Sequence, residues 1–356
     1  MGSSGRACGQ QLAKRQVEEL AQIAAVDFED FYQARKPARS KPGDLLAISA
    51  DGKGIVMRPD ALRPRAALAR ARQGPKHPQT RLASAEKSNY KRMAEIGAVY
   101  DATPVPRTAV DIIANDKDTE RDPTPGPVAT NKWLTASIVN DASTLIDQIF
   151  DEAQRRDPKH QRTWVALVDG NNHQIQRIKA AAKARKVNVT IVVDFVHVLE
   201  YLWNATWCFH AARDPAAEQL VHRQATAVLN GHARRVAGQI RRKATNARLG
   251  PVNRKIAEEA ATYLTRKAQY LDYPTALQQG RPTATGIIEG ACRHIVKDRM
   301  DLTGARWGLT GAEAVLKLRV IKANGDFDAY WRYHLDQERR HVHEARYHDH
   351  LIPKAA

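Results

Sequence analysis

The sequence is poor in three things. It has only three cysteines, Cys8, Cys208 and Cys292, far apart and odd in number, which excludes a disulfide framework and a paired-cysteine zinc site. It has no uninterrupted apolar run near the ~18 residues that a membrane span needs, and its opening MGSSGRACGQQLAKRQ lacks the apolar stretch of a signal peptide. It is also short of acid: 39 Asp and Glu stand against 56 Lys and Arg, a formal charge of +17 with a pI near 9.9. The first two absences predict a reduced, cytoplasmic protein with no membrane partner. The third predicts a polyanionic partner, with nucleic acid ahead of an acidic surface.

What is present reads as a globular α/β chain of 356 residues, long enough for two or three packing units. Val17, Leu20, Ile23, Ala24 and Phe31 share one helical face. Two short β-rich runs flank Asp51-Gly52-Lys53-Gly54, a pattern that suits a tight hairpin. Residues 60–94 form a basic tract carrying nine Lys and Arg, broken by Gly74, Pro75 and Pro78, and read as a mobile loop with some helix. Further strands are expected at IGAVYDATPV and Lys132–Val139, then a helix from Ala142 to Arg156. TWVALVDG and VNVTIVVD read as two buried strands joined by a basic helix over Gln174–Lys186, which argues for a parallel pair with a crossover. Residues 213–285 look all-helical; the stretch from Ala233 to Lys255 carries eight Lys and Arg and no acid.

Three acids close strand-like runs: Asp51 after LLAISA, Asp169 after TWVALV and Asp194 after VTIVV. Strand ends are where loops and ligands gather in such sheets. A fourth acid, Glu289, lies in GIIEGACRHIVKDRM, among small and apolar residues on an otherwise basic helix. Each has an ordinary explanation: Asp51 and Asp169-Gly170 as turns, Asp194 as the N-cap of the helix from Phe195, and Glu289 paired with Arg293 one turn on. Together they suggest more. Converging carboxylates repel one another, and hard divalent cations such as Mg²⁺ or Mn²⁺ relieve the repulsion. Two such ions about 3.5–4 Å apart activate water or a 3′-hydroxyl and stabilise the departing oxygen of a phosphodiester. The histidine-rich tail around His341, His343, His348 and His350 has no accompanying cysteine and matches no common finger.

VALVDGNNHQ, VVDFVHVLEYLW and TGIIEGACRHIVKDRMDLTGARWGL together resemble the bacterial insertion-sequence transposases of the ISKra type. These are DDE enzymes with an RNase H-like fold, related to Mutator-like elements, and the resemblance runs from about residue 12 to the end. It implies an RNase H-like mixed sheet with flanking helices, interrupted by an all-helical insertion. The units would be a helical leader at 1–43, the first part of the core at 44–212 with the basic loop 60–94, the basic helical insertion at 213–285, and the Glu helix with C-terminal helices at 286–356. It assigns Asp51, Asp169 and Glu289 as catalytic metal ligands for two Mg²⁺ or Mn²⁺ ions, with Asp194 and His197 of the DFVH element as accessories. Asp194 in place of Asp169 as second ligand stays an alternative.

The implied reaction is metal-dependent strand cleavage and strand transfer at insertion-sequence ends, by a nucleoid-associated homo-oligomer on transposon and target DNA. Lys87, Lys91, Arg92, Arg234, Arg235, Arg241, Arg242, Lys243, Arg293, Lys297 and Arg299 are the expected phosphate contacts. The leader is shorter than in that group, so a lost recognition module or a truncated copy is expected. The rival expectation is a non-catalytic DNA-binding remnant, in which the acids are caps and turns.

Overall fold

A computed structural model describes residues 6–7, 10–11, 13–41, 43–73, 91–113, 122–302 and 304–341. At its centre lies a five-stranded mixed sheet built from β1 (Leu45–Val56), β2 (Lys91–Ala102), β3 (Ala129–Ser137), β4 (Trp164–Val168) and β5 (Val189–Val193). The order across the sheet is β3-β2-β1-β4-β5. The pairs β1–β2 and β2–β3 are antiparallel; β1–β4 and β4–β5 are parallel. Every residue of β4 is buried, as expected of a parallel strand covered on both faces.

The chain does not turn at Asp51-Gly52-Lys53-Gly54. β1 runs straight through it, pairing Gly52 with Glu95 and Gly54 with Met93. The glycines are there for space. A Cβ on Gly52 would meet Met93 Cε at 3.0 Å, and one on Gly54 would meet Lys91 Cδ at 2.9 Å, so β2 lays its longer side chains into those gaps. The expected loop at 60–94 is likewise ordered at both ends. Pro64–Gln73 is a helix and β2 begins at Lys91, whereas 74–90 lie outside the described residues.

Helix Ala142–Arg156 packs across β1, β2 and β3. Asp141 caps it, accepting the Ser143 and Thr144 N–H groups at 3.0 and 2.9 Å, and Leu145, Ile146, Ile149, Phe150 and Ala153 are buried beneath it. Asn172–Ala184 forms the crossover between β4 and β5. Phe195–Trp207 follows β5 directly. Against it packs a helical block, Pro215–Leu229, Ala233–Asn246, Pro251–Lys267 and Tyr273–Gln278.

The leader helices Lys14–Ala24 and Phe28–Ala34 are bound to the far end of the chain. His334 Nδ1 lies 2.6 Å from Asp27, Tyr330 donates to the Ala24 carbonyl at 2.8 Å, and Arg35 pairs with Asp326. Among the described residues no helix is long and apolar enough to cross a membrane.

Candidate functional site

β1 and β4 run parallel with Ser49 beside Leu167, and β4 and β5 with Val168 beside Val193. Continuing these registers by two residues and by one sets Asp51 level with Asp169, and Asp169 level with Asp194. Asp169 and Asp194 thus stand side by side at the C-terminal edge of β4 and β5, level with Asp51, which lies midway along the longer β1.

A helix lies over this edge. Gly286–Ala291 is α-helical, Cys292–Lys297 is π-wound and Asp298–Met300 completes it. The first two segments pack on β1 and the first also on β2. Thr285, Glu289 and Cys292 follow the i, i+4, i+7 spacing of one helical face, and the outer two tie that face to the sheet. The Thr285 N–H donates to Asp194 Oδ2 at 3.0 Å, and the Thr285 hydroxyl also contacts that oxygen. The Cys292 thiol donates to Asp51 Oδ2 at 3.1 Å. Glu289 is held between these anchors, its Oε1 3.1 Å from the Thr285 hydroxyl. That hydroxyl has one proton for two carboxylates.

The ligand atoms of Asp194, His197 and Glu289 all lie within 4.8 Å of one another. Asp51 and Asp169 stand outside that group. Asp194 is fully buried and caps the following helix, accepting the Val196 N–H at 2.7 Å on the oxygen that Thr285 does not use. Asp169 is half-buried and accepts the Asn171 N–H at 2.7 Å on Oδ1. Its peptide neighbour Gly170 has φ +93°, a conformation that favours glycine, and the Tyr263 hydroxyl sits 2.6 Å from where a Cβ would be, donating to the Asp169 carbonyl at 3.0 Å. Asp169 and His197 line one cavity of about 660 Å³ together with Tyr263 and Lys267. Lys267 is buried and its ammonium rests on the neutral Asn172 amide; burial lowers its pKa, while Asp169 works to raise it.

Glu289 forms no ion pair with Arg293 among the described residues, and it is exposed. The simple helical salt bridge is absent. Asp51 is not a turn residue: its Oδ1 accepts the Gly52 N–H at 2.6 Å within a continuous strand.

Three contributors escaped the reading of the sequence. Thr285 and Cys292 are two. The third is Glu95, the cross-strand partner of Gly52; burial raises its pKa, Arg63 and Arg177 oppose the rise, and Asp51 adds to it. Burial, then Asp51, pushes the Cys292 thiol far up, so it stays protonated as a donor. A T-x-x-x-E-x-x-C stripe was visible in the chain, but nothing marked Glu95 before the strand register was known.

The expected phosphate contacts divide. Arg234, Arg235, Arg242, Arg293, Lys297 and Arg299 are exposed. Lys91 pairs with Asp301 at 3.4 Å, Arg92 donates to the Ile138 carbonyl at 2.7 Å, and Arg241 grips Glu258 with two nitrogens. Lys243 lies 3.1 Å from His210 and over the Phe209 ring. Lys87 and His343, His348 and His350 fall outside the described residues, while His341 is exposed. No family model, curated protein or solved structure matches the chain.

Proposed function

We propose that this chain is a DDE-type DNA transposase with an RNase H-like sheet, cutting and joining phosphodiesters at insertion-sequence ends with two Mg²⁺ or Mn²⁺ ions, as a homo-oligomer on DNA. One observation carries the reading: Asp51 within β1 and the aspartates that follow β4 and β5 share one register, beneath a helix tied to Asp194 and Asp51 on either side of Glu289.

The donor set suits hard cations. Carboxylates dominate it, one imidazole joins them, and the only nearby thiol is held protonated. Among the described residues, Asp169 Oδ2 and Glu289 Oε2 accept no hydrogen bond, and His197 uses only Nδ1, toward Glu200 at 3.2 Å. Asp51 Oδ2 takes only a weak thiol donor. Asp194 has both oxygens engaged. We therefore assign Asp51, Asp169 and Glu289 as ligands, His197 as an auxiliary, and Asp194 with Thr285 as the pair that positions Glu289. When bound, the ions supply Lewis acidity at the attacking and leaving oxygens. The exposed Arg293, Lys297 and Arg299 continue along the same helix, where they are available to phosphates.

The test is a Mg²⁺- or Mn²⁺-dependent nicking and strand-transfer assay on end-containing DNA. Asp51→Asn, Asp169→Asn and Glu289→Gln are each expected to abolish cleavage while leaving DNA binding intact. Persistent cleavage in all three would sink the assignment. Binding without nicking by the unaltered chain would favour the non-catalytic remnant.

A further inference from the structure

The helix that carries Glu289 has a second flank, turned away from the acids. There a groove of about 500 Å³ runs between this helix, β3 and helix Leu309–Ala323. Gly286 and Gly290, one turn apart, leave its wall bare: a Cβ at either position would meet nothing within 4 Å. Ile287 and Ala291 make the floor, and Lys132, His294, Arg319 and Lys322 stand on the rim. No acid lines it. Glu289, next to Gly290 on the same helix, is not among its lining residues, and Asp298, further along, holds His294 Nδ1 at 3.0 Å. Lys132 and Lys322 are exposed and form no ion pair among the described residues.

Arg319 has a further duty. Its Nε donates to the Ile295 carbonyl at 2.7 Å and its Nη2 to the His294 carbonyl. Both carbonyls belong to the π-wound segment, whose altered hydrogen-bond ladder leaves acceptors in need of partners. Nη1 remains unengaged among the described residues and belongs to the rim.

We propose that this groove seats the sugar–phosphate backbone of a nucleic-acid strand. Phosphates complement the acid-free cationic rim. The two glycines let a sugar approach the helix backbone more closely than a long side chain would permit. The same helix then presents exposed Arg293 between the groove and Glu289, so a strand lying here leads toward the acids. An acidic peptide would satisfy the rim as well, but a chain of charge +17 with basic residues continuing to Arg299 favours the longer polyanion. The inference deepens the transposase reading by placing the strand, and its test is independent of cleavage.

The experiment measures fluorescence anisotropy of a labelled random-sequence single strand with the full chain, in EDTA, over a salt series. Removing two phosphate contacts in Lys132→Ala/Lys322→Ala is expected to shrink the slope of log K against log salt by about 1.4, at ~0.7 per contact. Gly290→Leu, which fills the groove without changing charge, is expected to weaken binding at least about threefold with little change of slope. Gly290→Ala, whose added methyl has room and favours helix, checks that any loss is not misfolding. Lys183→Ala/Lys186→Ala, beside β5 at the sheet edge opposite β3, is expected to leave the slope unchanged.

An unchanged slope in the groove variant, or an equal loss in the Lys183/Lys186 variant, would overturn the proposal. So would binding of a polyglutamate peptide that is lost in the groove variant while the nucleic acid is still held. A groove effect without metal-dependent nicking would keep this inference and remove the catalytic one; the reverse pattern would do the opposite.

Discussion

The two ends of the central sheet treat acids in opposite ways. At the N-terminal end of β1 and β4, Asp101 is fully buried and every contact it makes is answered: Arg162 Nη2 at 2.7 Å, Asn131 at 2.8 Å and Ser40 at 2.9 Å. Asp157 beside it takes the Trp164 indole and two backbone N–H groups. Burial works against its ionisation, yet these hydrogen bonds hold its carboxyl below the ordinary range. At the C-terminal end, Asp51, Asp169, Asp194 and Glu289 have hydroxyl, thiol and amide neighbours but no ion pair with a Lys or Arg among the described residues. A buried acid with a guanidinium partner serves the fold. The acids at the other end have no such partner among the described residues.

This contrast can be broken by measurement. The largest expected effect is on stability at the satisfied end. Asp101→Ala strips Arg162 of its buried partner and is expected to cost about 3–5 kcal/mol in denaturant unfolding. Glu289→Gln, by comparison, is expected to stay within about 0.5 kcal/mol, as exposed substitutions usually do. Equal losses at both ends would erase the distinction.

Next comes Thr285→Val, which removes the hydroxyl that Asp194 and Glu289 share. Loss of such outer support is expected to weaken Mn²⁺ binding about 10- to 100-fold by calorimetry, with the fold kept. Unchanged affinity would mean that Thr285 serves only to start its helix.

The smallest effect concerns Glu95. Its folded-state pKa is raised, chiefly by burial, so its ionised form opposes folding. The penalty is absent below the unfolded pKa, where the group is protonated in both states, and is complete above the folded one. Glu95→Gln is therefore expected to raise the melting temperature slightly at pH 7 and not at pH 3.5. A drop at pH 7 would mean that Arg63 and Arg177 stabilise the ionised Glu95 more than burial penalises it.

Much of the framework was legible. The helix at Ala142–Arg156 is bounded as its periodicity indicates, and both parallel strands stand where short apolar-rich runs announce them, although β5, at the sheet edge, buries only Val192 and Val193. The strand-end acids were visible because Asp169 and Asp194 each follow such a run directly. Asp51 was misjudged for a physical reason. Asp-Gly-Lys-Gly has the local propensity of a turn, but the cross-strand side chains of Lys91 and Met93 fill the glycine gaps and keep the strand extended. Nor could the chain alone show that Arg241, in the most basic stretch, is consumed by Glu258.

Local chemistry, written residue by residue, determined the helices, the buried strands, the excess positive charge and the kinds of side chain placed at strand ends. Only the tertiary structure decided which of those side chains meet. Strand register sets Asp51, Asp169 and Asp194 level, and two hydrogen bonds from one helix face, to Asp194 and Asp51, hold Glu289 between them and near Asp194 and His197. Periodicity reports which way a residue faces within its own element, whereas pairing between distant elements is set by packing they accomplish together.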